Sequence, residues 1–353
     1  MNMGENSVTA GVVHLMGSLR PSGMERMLVS AATYWPTRYQ GATVVGQGPS
    51  HPFASALTDA GYEVRAIRPL TTLRGAWKLW RTARHNRDAV WHIHVEREYA
   101  IAALVLRLAG ADRIVRTIHN TFAREGIKGH ARQLANEIAD RLVSRVVAVS
   151  DDVAAHERGY GREVVTVLNW VDDRFFDSSR PPRPAGHIPN TFVMVGNCSR
   201  IKDHALAIAA LPSGCDLIHL GDESQIQESE YQLLRQLEER GELAFRGVAD
   251  PVPYLVDADV FIMPSRHEGM TVALAEALVI GCHVVAADVP GVRWARDFPG
   301  VTLISRDPAA WFAALRHPLS AQSGRLSTAV LRASRGVREY SQIYDDVSGI
   351  CTS

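Results

Sequence analysis

Short runs rich in Val and Ile alternate with amphipathic helical patterns along this chain, and the alternation runs its course twice, on either side of a proline-rich break. In the first half the strand-like runs are VVHLM (12–16), ATVVG (42–46), YEVRAI (62–67), AVWHIH (89–94), RIVRTIH (113–119) and RVVAVS (145–150). Helical patterns separate them, near 24–35, 51–60, 74–86, 98–109, 130–142 and 151–158. The stretch SSRPPRPAGHIPN (178–190) holds almost no large apolar residue and reads as a linker. The pattern then restarts with FVMVG (192–196), CDLIHLG (215–221), LAFRG (243–247), DVFIMPS (259–265) and HVVAAD (283–288), and the tail from about 320 to 349 looks helical. Strands joined through helices pair in parallel, so the fold class is α/β. We expect two Rossmann-like, doubly wound domains, 1–177 and 191–330, joined by the 178–190 linker and facing each other across a cleft. A C-terminal helix within 331–353 is expected to pack back toward the first domain. In such sheets ligands gather at the C-terminal ends of the strands.

Bulk composition narrows the partners. A chain of 353 residues exceeds what one core usually fills, in keeping with two domains. Lys and Arg (38) equal Asp and Glu (38), so charge makes no case for nucleic acid. Cys198, Cys215, Cys282 and Cys351 form no C-x-x-C pair and no sequence cluster with histidine, which predicts neither a disulfide framework nor a zinc site. Residues 1–10 lack the basic start and apolar run of a signal peptide. The most apolar helical stretch, AIAALVLRLAG (100–110), is too short to span a bilayer, so a cytoplasmic location is expected. Neither half carries a P-loop, and Gly46-Gln47-Gly48 lacks the third glycine of a dinucleotide fingerprint.

The segment PSRHEGMTVALAEALVIGCHVVAADVPGV (264–292) decides the functional reading. A strand ends at Pro264-Ser265, a loop with Glu268-Gly269 follows, and a helix begins near Thr271 with Glu276 in its second turn. The N–H groups of Gly269, Met270 and Thr271 would stand at a helix N-terminus, where the dipole favours phosphate. Glu268 and Glu276 flank that point. Carboxylates suit sugar and ribose hydroxyls far better than phosphate. On spacing alone the two glutamates are also compatible with an ordinary strand–helix unit.

With its context this segment resembles glycosyltransferase family 4, whose retaining enzymes have the GT-B fold and carry Glu-x7-Glu in the setting S-x-x-E-G-x(6)-E-A. Ser265, Glu268, Gly269, Glu276 and Ala277 fill that pattern. The resemblance implies that Glu268 contacts the donor sugar and Glu276 the ribose. It extends over about residues 11–345. VGNCSRIK (195–202) is similar to the family's V-G-R-x(4)-K, with Gly196 and Lys202 in place and Asn197 at the arginine position. Lys202 would neutralise the donor diphosphate, and Arg200 is the nearest substitute for the missing arginine. Gly221 matches the first glycine of a G-x-G whose second is Glu223, and Arg246 or Val248 would lie against the base. In the first half, Gly23 stands where the family has a glycine-rich loop, His119 in RTIHN matches a histidine that approaches the transferred sugar, and VLNWVD (167–172) keeps Asn169 and Asp172 but has Trp170 for glycine.

The resemblance implies a donor that is a nucleotide-diphosphate sugar, UDP-linked first and GDP-mannose next, with the donor nucleotide in the second domain and a carbohydrate or lipid-linked acceptor on the side of the first. It implies no cofactor and no metal. His92 and His94 end a strand; we expect one on each side of the sheet and no metal between them. Two neighbouring readings stay open: another GT-B enzyme such as a nucleotide-sugar epimerase or hydrolase, and an inactive donor-binding homologue. The segment RPLTTLRGAWKLWRTARHNRD (68–88) also has two readings. It is either a basic, Trp-bearing helix lying on the inner face of a membrane, or an outer helix that buries Leu73, Trp77 and Trp80 on its sheet.

Overall fold

Val- and Ile-rich runs that are buried on both faces can form only the interior strands of a parallel sheet covered by helices, and the chain builds two such sheets. The computed structural model describes residues 11–120, 126–322 and 324–350; the signal-peptide argument on residues 1–10 and Cys351 lie outside them. The chain divides into two compact units. The first comprises the chain through Val149, Ala154–Leu168 and the stretch from Ala333 onward; the second comprises Ser150–Val153 and Asn169–Arg332.

In chain order the elements are β1 (Val12–Met16), α1 (Gly23–Ala31), β2 (Thr43–Gln47), α2 (Ala54–Asp59), β3 (Glu63–Ile67), α3 (Leu73–His85), β4 (Val90–Ile93), α4 (Tyr99–Leu108), β5 (Ile114–Ile118), α5 (Gly126–Asp140), β6 (Arg145–Ala148), α6 (Asp151–Arg158) and β7 (Val165–Thr166). There follow α7 (Asp173–Asp177), β8 (Thr191–Val195), α8 (His204–Ile208), β9 (Asp216–Leu220), α9 (Glu228–Glu239), β10 (Leu243–Gly247), α10 (Pro251–Asp257), β11 (Val260–Met263), α11 (Val272–Ile280), β12 (His283–Ala287), β13 (Val301–Ile304), α12 (Pro308–Ala314) and α13 (Ala333–Ser348).

The first unit is a parallel sheet in the order β3-β2-β1-β4-β5-β6-β7, and the second a parallel sheet in the order β10-β9-β8-β11-β12-β13. Each order reverses direction once, between β1 and β4 and between β8 and β11. Loops leaving two adjacent strands on opposite faces open a crevice at such a point. All residues of β1, β4, β5, β11 and β12 are buried. Both units are thus the doubly wound α/β folds that the alternation predicts.

Four details depart from the sequence reading. The 178–190 stretch runs within the second unit, where Arg180 N–H donates to Ile280 O at 2.9 Å and Arg183 pairs with Asp259 at 2.8 Å. The short edge strand β13 and helix α12 carry too little pattern to stand out in sequence. The tail forms a short 3-10 helix over Thr328–Leu331 and an α-helix only over α13, which belongs to the first unit. Its Tyr344 hydroxyl lies 2.6 Å from His92 Nδ1, its Tyr340 hydroxyl 2.9 Å from Thr117 Oγ1, and its Asp345 takes hydrogen bonds from Arg38 and Tyr39.

The fourth departure concerns α3. Its buried residues are Gly75, Leu79 and Ala83, whereas Leu73 (91% exposed), Trp77 (57%) and Trp80 (39%) face outward. Backbone contact sets this rotation: a Cβ on Gly75 would meet Pro69 O at 2.3 Å, so only glycine lets the helix seat there. Residues 75, 79 and 83 lie on one helical stripe. Leu73, Trp77 and Trp80 therefore do not cover the sheet.

Candidate active site

At the reversal point of the second sheet, the loops after β8, β9, β11 and β12 meet so closely that two positions exclude any side chain. A Cβ on Gly221 would lie 2.1 Å from Gly196 O, and one on Gly291 would lie 1.8 Å from Glu268 O. Gly291 also has φ of +80°, which glycine adopts without strain. Glu268 N–H donates to Pro290 O at 3.3 Å and Arg266 N–H to Ile201 O at 2.8 Å, tying the loop after β11 to its neighbours. Asp203 sits in the left-handed region at φ 48°, which its short polar side chain tolerates. It pairs with Arg266 at 2.8 Å and with Arg306, and Arg306 also donates to Pro264 O.

This scaffold brings Lys202 and Glu268 together, the ammonium donating to Glu268 Oε1 at 2.7 Å. Glu268 is 8% exposed and Glu276, in the second turn of α11, 6%. The carbonyls just past Glu268 are taken: Ser150 Oγ donates to Gly269 O at 3.0 Å and Asn169 Nδ2 to Met270 O at 2.7 Å. That fixes the peptide planes. Among the described residues nothing accepts from the N–H groups of Gly269, Met270 and Thr271, and Thr271 caps α11 without a side-chain hydrogen bond. The start of α11 therefore presents unsatisfied donors at its positive pole. A pair of opposite charges, beside amide donors with no acceptor among the described residues, can take an anion at the amides and the ammonium and a hydroxyl at the carboxylates.

The remaining residues of the second unit divide. Gly196 follows β8, and its N–H donates to Leu220 O at 2.8 Å. Asn197 Oδ1 accepts from Asp222 N–H at 3.0 Å, so this side chain stabilises the loop after β9. Arg200 is exposed and has no ion-pair partner among the described residues. Arg246 is held bidentately by Glu223, both contacts 2.7 Å, and that carboxylate raises its pKa. Glu223, the departure from the G-x-G pattern, thus has a local partner that sequence alone did not suggest. Val248 is 70% exposed. Sequence reasoning missed Ser150, Asp203, Arg266, Gly291 and Arg306; only the glycine, in a V-P-G-V turn, left a recognisable signal.

In the first unit, Gly23 opens α1. The buried Glu25, whose pKa burial raises, bonds Ser22 Oγ and closes the first turn. His119 follows β5. Its Nε2 lies 3.1 Å from His94 Nδ1, and His94 Nε2 lies 3.2 Å from His14 Nδ1. His92 stands beside them, 3.9 Å from His94 between ring centroids. His92 and His94 therefore share one face of the sheet, not opposite faces, because side chains two residues apart in a strand point the same way. Burial lowers the pKa of all four, that of His14 to about 3 and that of His119 to about 4. They form a chain of neutral imidazoles. Next to it is a cavity of about 240 Å³, lined by Glu96, Arg116, Asn120, Arg132 and Arg162 among others, with Glu96 accepting from the N–H groups of His119 and Asn120 at 2.9 and 3.1 Å.

Below the loop after β8 the second unit gathers four further polar groups that the sequence keeps apart: Cys198, His204, His219 and Glu230, all buried. The expectation that no cysteine clusters with histidine holds along the chain and fails in space, because β8, β9 and the starts of α8 and α9 converge there.

Comparison with known proteins follows the same division. Residues 21–175 match the model of Glycosyltransferase Family 4 and residues 189–320 that of Glycosyl transferases group 1. A D-inositol 3-phosphate glycosyltransferase from Geodermatophilus obscurus is 30% identical over 241 residues, 61% of this chain and 53% of that protein, so the chain spans about half the length of that relative. Among solved structures, a glycosyltransferase from Rickettsia africae superposes with TM-score 0.74 at 15% identity, covering 96% of this chain and 98% of the other. Anabaena Alr3699/HepE in complex with UDP-glucose superposes with TM-score 0.68 at 18% identity, covering 96% and 98%. WaaG, a glycosyltransferase involved in lipopolysaccharide biosynthesis, does so with TM-score 0.63 at 16% identity, covering 97% and 100%. These likenesses carry the two-domain α/β fold shared by such enzymes, GT-B.

Proposed function

We propose that this chain, which belongs to the glycosyltransferase families 4 and group 1, transfers a sugar from a nucleotide-diphosphate donor to an acceptor hydroxyl with retention of anomeric configuration. One observation carries the proposal. The Lys202–Glu268 contact of 2.7 Å stands beside the unsatisfied amides of residues 269–271. A diphosphate leaves readily once its growing negative charge meets fixed cations and dipoles. In this reading the donor displaces Glu268 from Lys202. The ammonium and the amides then hold the two phosphates, Glu268 turns to the sugar hydroxyls, and Glu276 takes the ribose.

The acceptor hydroxyl attacks the anomeric carbon on the face the diphosphate leaves. Its proton passes to the departing phosphate oxygen, so bond formation, bond cleavage and proton transfer balance without a covalent enzyme intermediate. The diphosphate charge is met by protein groups, and the reaction uses no metal. His119, neutral down to about pH 4, donates to or accepts from a sugar hydroxyl without adding charge. The cavity beside it takes the acceptor, with Arg116, Arg132 and Glu96 as hydrogen-bonding groups for a carbohydrate.

A UDP-sugar is the favoured donor, GDP-mannose the next. The UDP-glucose bound by the similar Alr3699/HepE supports this choice. Assembly of a surface polysaccharide or glycolipid is the proposed setting, at the inner face of a membrane on which the outward face of α3 docks. No helix among the described residues is long and apolar enough to cross one. A thermal-shift screen against UDP, GDP, ADP and their sugars tests the donor. UDP and a UDP-sugar should raise Tm most, a ligand at 100 times its Kd adding about 2.7 kcal/mol. No shift with any nucleotide would remove the reading, and an inverted product anomer would remove retention.

A further inference from the structure

From the buried cluster below the β8 loop we infer that the second unit holds a structural zinc ion, bound by Cys198, His204, His219 and Glu230. The inference is independent of the reading of the donor site. Each ligand comes from a different element: Cys198 from the loop after β8, His204 from the first residue of α8, His219 from β9 and Glu230 from the first turn of α9. None is more than 4% exposed. One ligand atom of each lies within 4.8 Å of every other.

The separations match zinc geometry. Tetrahedral bonds of about 2.0 Å to nitrogen and oxygen and about 2.3 Å to sulfur put neighbouring donors roughly 3.3–3.6 Å apart. Here His204 Nδ1 is 3.2 Å from His219 Nε2, Glu230 Oε1 is 2.8 Å from His204 Nδ1 and 3.2 Å from His219 Nε2, and Cys198 Sγ is 3.9 Å from His219 Nε2. The other two separations, from Cys198 to His204 and to Glu230, are within 4.8 Å, so a movement of the sulfur by up to about an ångström closes the tetrahedron. One thiolate, two imidazoles and one carboxylate are all zinc ligands, and four protein ligands with no open position mark a structural site.

The atoms His204 Nδ1, His219 Nε2 and Glu230 Oε1 form a closed triangle, with Cys198 Sγ 3.9 Å from His219 Nε2. Four donor atoms from four elements thus converge on one buried point where a single cation can meet them all. The outer contacts fit as well: His219 Nδ1 accepts and donates no hydrogen bond within the described structure but lies 3.8 Å from Glu223 Oε1. A metal-bound imidazole typically directs its second N–H to just such a carboxylate. Bound there, the ion would fasten the Gly196–Lys202 loop to β9 and α9 and so set the height of the Lys202 ammonium.

The histidine group of the first unit, His14, His92 and His94, is a weaker candidate. Both nitrogens of His92 are already occupied by Tyr344 and Thr117, and no thiolate or carboxylate joins the group.

The test uses the tag-free full chain, stripped with a chelator and titrated with cobalt(II) and then zinc(II). We expect one cobalt per chain, visible bands of tetrahedral intensity, and a near-ultraviolet thiolate-to-cobalt band, all bleached by one equivalent of zinc. Cys198→Ser should abolish the thiolate band and His219→Ala should abolish stoichiometric binding, whereas His94→Asn should leave both unchanged. Substoichiometric binding, octahedral spectra, or binding without a thiolate band would overturn the assignment. Should either variant fail to fold, the wild-type spectrum and its zinc competition decide alone.

Discussion

At the residue scale the site works through a charge pair that a ligand must divide. Lys202 and Glu268 neutralise each other in the free protein at 2.7 Å, and the amides of residues 269–271 remain for the incoming phosphates. Removing one stabiliser of a developing oxyanion costs on the order of 10²–10³ in kcat. We expect Lys202→Ala to lose that much in kcat for donor cleavage, measured by nucleotide release, with the fold unchanged by circular dichroism; an activity within twofold of wild type would show that the ammonium does not meet the diphosphate. Lys202 and Glu268 were legible from motif spacing. The bracing of their loops by Asp203, Arg266 and Arg306 was not, since those contacts join residues up to 103 positions apart.

The buried histidines give a pH dependence whose sign follows from linkage. His14 and His119 stay neutral in the folded chain down to about 3 and about 4, and burial also lowers His92 and His94. Unfolded, each takes up a proton near pH 6.5. Below about pH 6.5 the unfolded state therefore binds more protons, so stability is full above that pH and falls as pH drops toward 4. Melting temperatures measured from pH 7.5 to 4.5 should decline, and His14→Asn should flatten the decline. An unchanged slope in the variant would mean that His14 is not held neutral.

At the element scale, α3 shows how backbone contact can outweigh side-chain hydrophobicity. Gly75, against Pro69 O, decides which stripe of the helix meets the sheet, and Leu73, Trp77 and Trp80 are turned out beside Arg74, Lys78 and Arg81. Arg81 stacks over Trp77 at 5.6 Å. Composition could not choose between the two readings of this segment, because both need an amphipathic helix and differ only in its rotation. Basic side chains near an anionic surface contribute roughly 1 kcal/mol each. The chain should co-sediment with vesicles rich in anionic lipid, and the Arg74→Glu, Lys78→Glu, Arg81→Glu triple variant should not. Equal, negligible binding of both would remove the membrane contact. The glycines at 221 and 291 act in the same way at the strand ends: each permits two loops to touch, at 2.1 and 1.8 Å from where a Cβ would stand.

At the scale of the whole molecule, the first unit is assembled from separated pieces of chain. Helix α13 supplies Tyr340 and Tyr344 to the histidine group and Asp345 to Arg38 and Tyr39, and Tyr344 stacks on Trp35 with centroids 5.8 Å apart. Ending the chain after Arg332 should therefore uncover the β1–β4 region and leave Asp345's partners without their carboxylate. We expect such a chain to lose the near-ultraviolet dichroism of its aromatic residues and to bind a hydrophobic dye; a truncated chain with native spectra would contradict this role. What the sequence determined by itself was what local period and spacing carry: the two parallel sheets apart from the edge strands β7 and β13, their longer helices, and the loop-to-helix turn with its two glutamates. Those signals repeat within a few residues, so each is visible in a short window. Tertiary structure alone decided the rotation of α3, the place of the proline-rich stretch inside the second unit, the Arg246–Glu223 pairing and the meeting of Cys198 with His204, His219 and Glu230. The last three depend on which distant segments lie side by side, an order no local pattern encodes; the rotation of α3 depends on the fit of Gly75 against Pro69 O, which only the folded backbone shows.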